Sequence, residues 1–534
     1  MVSKTVSELI EGHVTLSIEG LDRIYLNGYV PVLQTPQGVA YYFNKCHNKP
    51  IPSTALMAPM TERFVKSIED FIKSNEVDRV RFEAKQRKDE VTQEYLRQHP
   101  NKIGLLYVGV AQEKFTTLRT RKEQNKETGQ SRATLYRSSV MCNQYYFYIA
   151  DEDFGPLFIK MASYFPYTLR ICMNGHEYLK RQLKKERIMY ESLDNGILSC
   201  ENPKRAQTIM NQLNENKIEK VIRKWLDKLP TPFTKKDIDF GIHYDLSILQ
   251  AEFSLTQVFN KPNHGRQFFE GVIKEHLDLG RPENISLIFD RRVTRRTNTQ
   301  CSTRVITQEV IPSLNISYKY SKIKQYFKCG KALRTETVIN NPRDFGIGKR
   351  LCNFSALREY GLQTNRRLLD VQKLSQNCLV GAKVFEELVN PIVVDQQRVA
   401  ALKFGDERAM TLLLAISIFS LHISGFSNKM LRENIAILMG KNKNQFSQGQ
   451  MTYDLRRLRM HGLIVRKSGT QCYDVTEKGL QVSFFISKFY QRLINPSFGK
   501  NSRKLIPNNK QIISTMEKLD RAMNDMIDNI KFSD

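Results

Sequence analysis

The sequence predicts a mixed α/β (α+β) protein: a basic antiparallel-sheet body of two α/β blocks, followed by a C-terminal helical module and a terminal helix. Three observations support this prediction. Segments in which apolar residues alternate with polar ones, as in strands, are interspersed with segments of helical spacing. Basic residues are concentrated around the strand-like segments of the second block. From residue 401 onward, helical spacing replaces most of the alternation.

The first block, residues 1–235, is expected to combine helices and strands. The predicted helices span Phe64–Phe71, His176–Arg187 and Ile218–Leu229. The predicted strands span Val77–Phe82, Ile103–Val110 and Gln144–Ala150. The basic stretch Lys114–Arg137 contains Gly129 and is interpreted as a mobile loop close to phosphates.

The second block, residues 236–400, is expected to contain one antiparallel sheet. Its predicted strands span Ile285–Val293, Arg304–Thr307, Ser313–Tyr320 and Ala332–Ile339. Leu246–Phe259 is apolar and fits either a strand or a helix. Helices are predicted at Arg266–His276, which ends at a Gly-Arg-Pro breaker, and at Ser355–Leu374.

Residues 401–495 are expected to form a module of helices with one hairpin. A helix from Arg408 to about Leu421 and a second at Asn428–Met439 precede a third, within the segment MTYDLRRLRM. The segment LIVRKSGTQCYDV then reads as a hairpin whose turn holds Ser468 and Gly469, and a fourth helix follows Thr476. This order of helices and hairpin predicts a winged helix.

The third helix of this module has two different faces. Met451, Leu455 and Leu458 fall on one face and predict contact with a core, whereas Thr452 and two arginines fall on the opposite face. Such a face suits the major groove of DNA. The predicted nucleic-acid contacts of the module are Thr452, Tyr453, Arg456, Arg457, Arg459, Arg466 and Lys467.

The run LRRLRMHGLIVRK resembles the recognition helix and wing of bacterial winged-helix proteins. This resemblance implies a fold for the module and leaves its target open. The alternative is a winged helix that contacts another protein.

Residues 496–534 are expected to form a tail with one amphipathic helix at Gln511–Ile530, whose apolar residues would make a stripe. Such a stripe docks on the body of the protein or on a second copy. A homodimer through this helix is therefore a possibility that the sequence leaves open.

The charge balance predicts a polyanionic partner. Lys plus Arg total 82 against 55 for Asp plus Glu, which gives a formal net charge of +27. Because such an excess is self-repulsive, a nucleic acid would offset it. DNA is the favoured partner and RNA the alternative. A basic but merely soluble or ribosome-associated protein would show the same composition.

Cysteine usage and hydropathy predict a cytoplasmic protein without a membrane span. The nine cysteines include no CxxC pair, so neither a metal finger nor a disulfide framework is expected. The longest apolar run, Met410–Leu421, is too short to cross a bilayer.

A basic surface is predicted on the sheet of the second block. Between Arg291 and Arg334 the sequence contains eleven basic residues and one acidic residue, Glu309, with aromatic residues interleaved. Basic side chains attract phosphates and aromatic rings stack on unpaired bases. The predicted contacts are Arg291, Arg292, Arg295, Arg296, Lys319, Lys322, Lys324, Tyr326, Lys328 and Arg334. The alternative is a solvated charged face over an aromatic core.

Three carboxylates lie within apolar, strand-like segments: Glu252, Asp290 and Glu336. A carboxylate on a central strand needs a cationic partner. If the three strands are neighbours, these acids are candidate catalytic residues and ligands for Mg²⁺ or Mn²⁺ in a nuclease or strand-transfer site. The alternative is that each acid pairs with an arginine or lysine such as Arg334.

The order YKYSKIKQYFK followed by ALRTETVIN is similar to a strand pair in the catalytic domain of phage and plasmid replication initiators, through Tyr326, Lys328, Arg334 and Glu336. Those enzymes hold their metal with a His-hydrophobe-His pair. This chain contains no HxH, which argues against nicking by a tyrosine.

The stretches DEDFGPLFIK, SYFPYTLRICMNGHEY and GIHYDLSILQAEFSLTQVF resemble a group of basic bacterial proteins to which no activity is attached. This resemblance implies a bacterial or mobile-element setting.

Three functions remain open. The leading hypothesis is a DNA-handling protein whose body holds single-stranded or branched DNA while the winged helix docks on the duplex, with a metal-dependent nuclease activity as an option. The second is an RNA-binding protein with one structured RNA. The third is a non-enzymatic regulator, in which the embedded acids are salt-bridged.

Overall fold

The protein is a mixed α/β structure, as the sequence predicts. The computed structural model describes residues 12–49, 52–83, 86–124, 131–279, 302–308, 311–376, 382–394, 396–403, 406–419, 426–438 and 447–489. The chain divides into two compact units, Met1–Gln376 and Asn377–Asp534. The predicted strand Ile285–Val293 and the predicted tail helix Gln511–Ile530 lie outside the described residues.

The strands of the first unit run through both predicted blocks. They are β1 (Val14–Tyr29), β2 (Asp78–Arg81), β3 (Gly104–Gln124), β4 (Ser131–Asp151), β5 (Gly155–Ala162), β6 (Leu169–Asn174), β7 (Tyr190–Ser192), β8 (Ile197–Cys200), β9 (Asp245–Phe259), β10 (Ser302–Gln308), β11 (Ile311–Tyr318), β12 (Ser321–Lys328) and β13 (Ala332–Ile339).

The helices of the first unit are distributed along the same stretch of chain. They are α1 (Pro36–His47), α2 (Thr54–Ser74), α3 (Lys88–Gln98), α4 (Gly175–Lys185), α5 (Pro203–Asn211), α6 (Glu215–Leu226), α7 (Lys235–Asp239), α8 (Pro262–Leu279) and α9 (Phe354–Gln376).

One sheet of eleven strands organises the first unit, in the order β10-β11-β12-β13-β9-β1-β6-β5-β4-β3-β2. Neighbouring strands are antiparallel except for β2 and β3, which are parallel. The long strand β1 pairs with β6 on one side and with β9 on the other. Because β1 and β9 belong to different predicted blocks, the boundary predicted at residue 235 does not separate two compact units.

A bulge in β1 shapes the centre of this sheet. The register with β9 shifts between Leu21 and Arg23, so Asp22 is an extra residue in β1. A bulge re-aims the side chains beside it. Asp22 is buried and reaches across to Arg334 on β13.

Helix α9 covers one face of strands β9, β12 and β13. Phe253 on β9 packs against Gly361 and Phe354 of α9. Thr337 on β13 donates a hydrogen bond of 2.7 Å to Asn365 Oδ1. Side chains alternate between the two faces of a strand. Glu252, next to Phe253, and Glu336, next to Thr337, therefore lie on the face opposite α9. That opposite face carries the charged residues predicted as a site.

The other half of the sheet has helices on both faces. On one face Phe71 of α2 packs edge-on against Phe147 of β4, with ring centroids 6.2 Å apart. On the other face Tyr95 of α3 stacks on Tyr107 of β3 at 4.4 Å. These strands therefore belong to a buried sheet.

The second unit is built mainly from helices. Its helices are α10 (Ala382–Val389), α11 (Glu407–Phe419), α12 (Asn428–Leu438), α13 (Gln448–Met460) and α14 (Glu477–Phe489). Its strands are β14 (Ile392–Val394), β15 (Gln397–Val399), β16 (Phe426–Ser427), β17 (Ile464–Arg466) and β18 (Cys472–Val475). Leu388 and Leu402 belong to its core, so this unit begins before the boundary predicted at residue 401.

The predicted order of helices and hairpin is present in the second unit. Strands β16, β18 and β17 form a three-stranded sheet, and β17 and β18 are the two arms of the hairpin. Its assignment as a winged helix stays a prediction. None of the described helices is long and apolar enough to cross a membrane.

Two stretches differ from their predicted secondary structure. Lys114–Arg137 was expected to be a loop, but its described residues extend β3 and β4 as an antiparallel pair. Ser321–Lys328 forms the strand β12. Its lysines are interspersed with few apolar residues, so apolar alternation alone does not predict this strand. Leu246–Phe259, which fitted either period, lies in strand β9.

Candidate nucleic-acid interface

The third helix of the C-terminal module, α13, has the two faces that its sequence predicts. Met451, Leu455 and Leu458 are at most 2% exposed and belong to the core of the second unit. On the opposite face Thr452, Arg456 and Arg459 are exposed. Tyr453, which was expected to flank that face, is 51% exposed.

Local interactions fix where α13 begins. Ser447 caps the helix: its hydroxyl accepts a hydrogen bond from Gln450 N, and the Gln450 side chain accepts one from Ser447 N. This reciprocal capping box satisfies backbone donors that have no partner within the helix. Asn428 on α12 donates to the Thr452 hydroxyl at 3.0 Å, which ties the two helices together on the exposed side.

A buried carboxylate holds α13 against α11. Asp454 is 1% exposed and accepts hydrogen bonds from Arg408 Nε at 2.9 Å and Nη2 at 2.6 Å. This two-pronged bond orients the helix from its inner side. The exposed arginines of α13 are therefore presented by a helix with a fixed rotation about its axis.

The structure places Arg457 differently from the predicted contact with nucleic acid. It was expected beside the exposed face, but it is 8% exposed, donates to Ala401 O and pairs with Asp454 Oδ1 at 3.7 Å. Its spacing places it between the two faces, where packing decides its direction. Arg457 supports the helix from within and does not face a ligand.

The hairpin carries the two remaining predicted contacts of the module. Arg466 is exposed and its Nε donates to Thr470 O at 3.0 Å, across the turn. Lys467 is half-buried and pairs with Asp474 at 3.3 Å. Arg466 is thus the more available of the two for a polyanion.

Strand β12 presents its basic residues on the face opposite α9. Lys322 is exposed, and Lys324 lies 4.5 Å from the centroid of the Tyr326 ring. Ser317 and Asn315 of β11 are the neighbours of Lys322 and Lys324 across the strand pair. This row of amino groups, hydroxyls and one aromatic ring is the second candidate surface.

The other predicted basic residues near this strand are engaged within the protein. Lys319 donates to Asp344 O at 3.3 Å, and Lys328 is 9% exposed and pairs with Asp194 at 3.2 Å. Arg291, Arg292, Arg295 and Arg296 lie outside the described residues.

Arg334 was predicted to contact nucleic acid, and the structure overturns that prediction because its side chain is fully buried. Nη2 donates to Asp22 Oδ2 at 2.6 Å and Nε donates to Glu336 Oε1 at 2.6 Å. Nη1 donates to Asn195 O at 2.6 Å. A buried guanidinium with these partners holds strands together and cannot reach a ligand.

His176 and Asp22 take part in the same network and were not detected in the sequence. Arg334 Nη2 lies 3.1 Å from His176 Nε2, and the Ser254 hydroxyl lies 2.9 Å from that same nitrogen. Burial and the charge of Arg334 lower the pKa of His176 to about 3. Burial alone would raise the pKa of Asp22, but the charge of Arg334 lowers it to about 2.

The two described embedded acids have different surroundings. Glu336 Oε1 accepts hydrogen bonds from Arg334 and, at 2.9 Å, from the Tyr326 hydroxyl. Burial raises the pKa of Glu252, and the negative charge of Asp22 adds to that effect. Glu252 accepts a hydrogen bond of 2.5 Å from Gln250. Asp290, the third predicted ligand, lies outside the described residues.

These surroundings bear on the predicted Mg²⁺ or Mn²⁺ site. Glu336 Oε1 already accepts hydrogen bonds from a guanidinium and a phenol, so one oxygen of this carboxylate is engaged within the protein. Of the two explanations that the sequence left open, pairing with arginine therefore describes Glu336. The Mg²⁺ or Mn²⁺ site itself stays a prediction.

One group of ligand-type side chains was missed because it joins distant parts of the chain. Cys46, His47 and Asp237 place one ligand atom each within 4.8 Å of the others. Asp237 Oδ1 lies 2.8 Å from His47 Nε2, and its Oδ2 accepts from Thr234 N and Oγ1. Asp237 completes the capping box of α7, so these hydrogen bonds account for the group without a metal ion.

No protein-family model, no curated protein and no solved structure matches this chain. We therefore infer its function from the chemistry of the two candidate surfaces.

Proposed function

We propose that this protein binds nucleic acid, and that it docks on duplex DNA through the exposed face of α13 and the hairpin formed by β17 and β18. The proposal depends on one observation above all. Arg456 and Arg459 project from a helix whose opposite face is built into a core. A helix with this division fits the major groove, where arginine reaches guanine edges and phosphates.

The hairpin supplies the second part of the proposed interface. Arg466 is exposed on β17, and the turn that follows contains Ser468 and Gly469. A basic hairpin beside a groove-binding helix contacts the sugar-phosphate backbone, and contacts of this kind set the position of the protein on the duplex. The proposed module is thus a winged helix that reads DNA.

The proposed role of the body is to hold single-stranded or branched DNA. Support comes from Lys322 and Lys324 on β12, beside the aromatic ring of Tyr326. A row of this composition attracts phosphates and stacks on unpaired bases. The same chemistry suits a structured RNA, which is the alternative partner.

The test of the duplex-binding surface is the double variant Arg456→Ala with Arg459→Ala. Both side chains are exposed, so the variant keeps the core of the second unit. We expect duplex affinity to fall on the order of tenfold or more, because each contact to a base contributes about 1–3 kcal/mol. Fluorescence anisotropy with a labelled duplex measures the change.

The matched control removes two positive charges elsewhere. Arg97 on α3 and Lys220 on α6 are exposed helical residues of the first unit, and Arg97→Ala with Lys220→Ala should leave duplex affinity nearly unchanged. Equal losses in both double variants would mean that only total charge matters. Unchanged affinity in the α13 variant, with a parental melting curve, would exclude α13 as the reader.

Competition separates the alternatives for the partner. Unlabelled duplex DNA, single-stranded DNA and RNA of equal length are added in turn to the labelled complex. Duplex DNA should compete best if α13 is the main contact. Stronger competition by RNA would favour the RNA-binding alternative, and failure to form any labelled complex would leave a protein-contact module.

A further inference from the structure

A cavity of about 430 Å³ lies within the first unit, between strands β1, β3, β4, β5 and β6. Its volume is in the range of small-molecule sites, which is roughly 300–1,000 Å³. Four basic side chains line it, namely Lys114, Arg137, Lys160 and Arg170. None of the described residues that line it is acidic.

The sheet fixes the positions of the polar groups in this cavity. Lys160 on β5 is the register neighbour of Arg170 on β6, and Arg170 is the neighbour of Asn27 on β1. Three adjacent strands thus place an ammonium, a guanidinium and an amide in one row. Side chains on paired strands keep their spacing, which makes the row a prearranged set of donors.

Additional neutral donors line the same cavity. Thr116 and Thr168 contribute hydroxyls, and Gln144, which is 3% exposed, contributes an amide. Apolar groups, including Leu33, Phe115 and Pro166, form the rest of the wall. The cavity therefore combines cations and hydrogen-bond donors with an apolar wall, as a site for an anionic small molecule does.

The charges of the cavity are only partly balanced within the protein. Lys160 pairs with Glu113, and Glu113 also pairs with Lys88 at 2.7 Å. Lys114, Arg137 and Arg170 are exposed at this cavity, and among the described residues none of the three forms an ion pair with a carboxylate. Cations that line one cavity without carboxylate partners attract an anion.

We propose that this cavity binds a ligand through a phosphate group, with Arg170, Lys114 and Arg137 as the cations that hold it. A guanidinium provides a planar pair of donors for phosphate oxygens, and an ammonium provides a point charge. The phosphate belongs either to a free mononucleotide or to the 5′ end of a nucleic-acid strand. This site does not depend on the surface of α13.

The test measures phosphate binding to the full chain. Equilibrium dialysis is carried out with inorganic phosphate and adenosine monophosphate, and with a short single strand in 5′-phosphorylated and 5′-hydroxyl forms. We expect Arg170→Met to weaken binding of the phosphorylated probes on the order of tenfold or more, the effect of losing one charged hydrogen-bond donor. Arg97→Met, which changes an exposed arginine of α3, should leave the binding of these probes unchanged.

The two sources of the phosphate give different results. Tight binding of adenosine monophosphate identifies a free nucleotide, whereas a preference for the 5′-phosphorylated strand over its hydroxyl form identifies a strand end. Equal binding of all probes by the parent protein and by Arg170→Met would overturn the proposal, as would a parent protein that binds no phosphorylated probe.

A second variant covers loss of folding in the first. Lys114 is exposed on β3, so Lys114→Met is expected to fold. This variant should also weaken the binding of the phosphorylated probes. Unchanged binding in that variant would overturn the proposal. A duplex with blunt 5′-hydroxyl ends offers the cavity no terminal phosphate, so duplex affinity tests the proposed interface of α13 and the hairpin, and the two proposals fail separately.

Discussion

At the scale of single residues, Arg334 determines the chemistry around it. Its guanidinium is fully buried, and Asp22 and Glu336 supply the negative charge that its desolvation requires. Arg334 has no acceptor atom, so the short approach of Nη2 to His176 Nε2 requires a lone pair on that nitrogen. His176 is therefore neutral in the folded protein and carries its proton on Nδ1.

This arrangement predicts an acid-sensitive stability. The pKa of His176 is lowered to about 3, whereas an imidazole in an unfolded chain has a pKa near 6.5. Between those values protons bind the unfolded chain and not the folded one. The free energy of unfolding should therefore fall as pH drops below about 6.5, by about 1.4 kcal/mol per pH unit for this one group.

The measurement is urea unfolding of the parent protein and of His176→Gln at intervals from pH 7 to pH 4. The variant should lose stability at every pH but should show a shallower dependence between pH 6 and pH 4. His99 is exposed, so His99→Gln should keep the parental slope. An unaltered slope in His176→Gln would show that His176 does not titrate differently in the two states.

Neutralising the two embedded acids, Glu336 and Glu252, should change the free energy of unfolding in different ways. Glu336→Gln removes a charge that pairs with buried Arg334, and we expect it to lower the free energy of unfolding by about 2–4 kcal/mol. Glu252→Gln removes a charge that is disfavoured by burial and by its acidic neighbours, so it should change stability little or raise it.

Thermal melting with and without manganese distinguishes this explanation from a metal site. If arginine pairing is the role of Glu336, manganese should not alter the melting temperature of the parent protein. A parent protein that manganese stabilises, together with a Glu336→Gln variant that has lost the response, would support the metal-dependent nuclease hypothesis.

At the scale of elements, the contact between α9 and β9 depends on the absence of a side chain. A Cβ atom on Gly361 would lie 2.3 Å from Cδ2 of Phe253, which is closer than packed atoms approach. An alanine inside a helix is ordinarily more stable than glycine by about 1 kcal/mol. Gly361→Ala should reverse that sign and destabilise the protein by about 1–3 kcal/mol through overpacking.

Chemical denaturation measures the change in the free energy of unfolding of Gly361→Ala, and a second substitution tests whether overpacking causes it. Phe253→Leu removes the ring that meets the new methyl group, so combining it with Gly361→Ala should give less destabilisation than the sum of the two single changes. Gly449 in α13 has open space around its Cβ position, and Gly449→Ala should be neutral or stabilising. A stabilised Gly361→Ala variant would contradict the close packing of α9.

Elements with a clear period could be predicted from the sequence, and the reason is local. The buried and exposed residues of α13 follow its helical spacing, and the hairpin follows from its Ser468-Gly469 turn. Strand β1 was not predicted because glycines and charged residues interrupt its alternation. Its partners β6 and β9 lie far along the chain, and local periodicity carries no information about such pairing.

The candidate site was predicted unevenly for a related reason. Arg456 and Arg459 are exposed as expected, because a helix face is defined by neighbours three and four residues apart. Arg334 was assigned to the surface because it lies in a basic segment, yet it is buried by a bulge in β1 and by His176 of α4. No local pattern contains those distant partners.

At the scale of the whole molecule, the charge of +27 is distributed over more than one surface. Lys322 and Lys324 on β12, the basic wall of the cavity near Arg170, and Arg456 and Arg459 on α13 each present positive charge. Total charge therefore does not identify the surface that binds nucleic acid. The salt dependence of binding can do so, because it counts the phosphates that each surface neutralises.

We expect duplex affinity to fall about a hundredfold or more between low and moderate salt, because cations on the protein displace ions condensed on DNA. A plot of log Kd against log salt concentration gives a slope of about 0.9 for each phosphate contacted. Arg456→Ala with Arg459→Ala should reduce that slope by up to about 2 if both arginines contact phosphates. A large loss of affinity with an unchanged slope would instead assign them to base edges, and a flat plot for the parent protein would contradict electrostatic binding altogether.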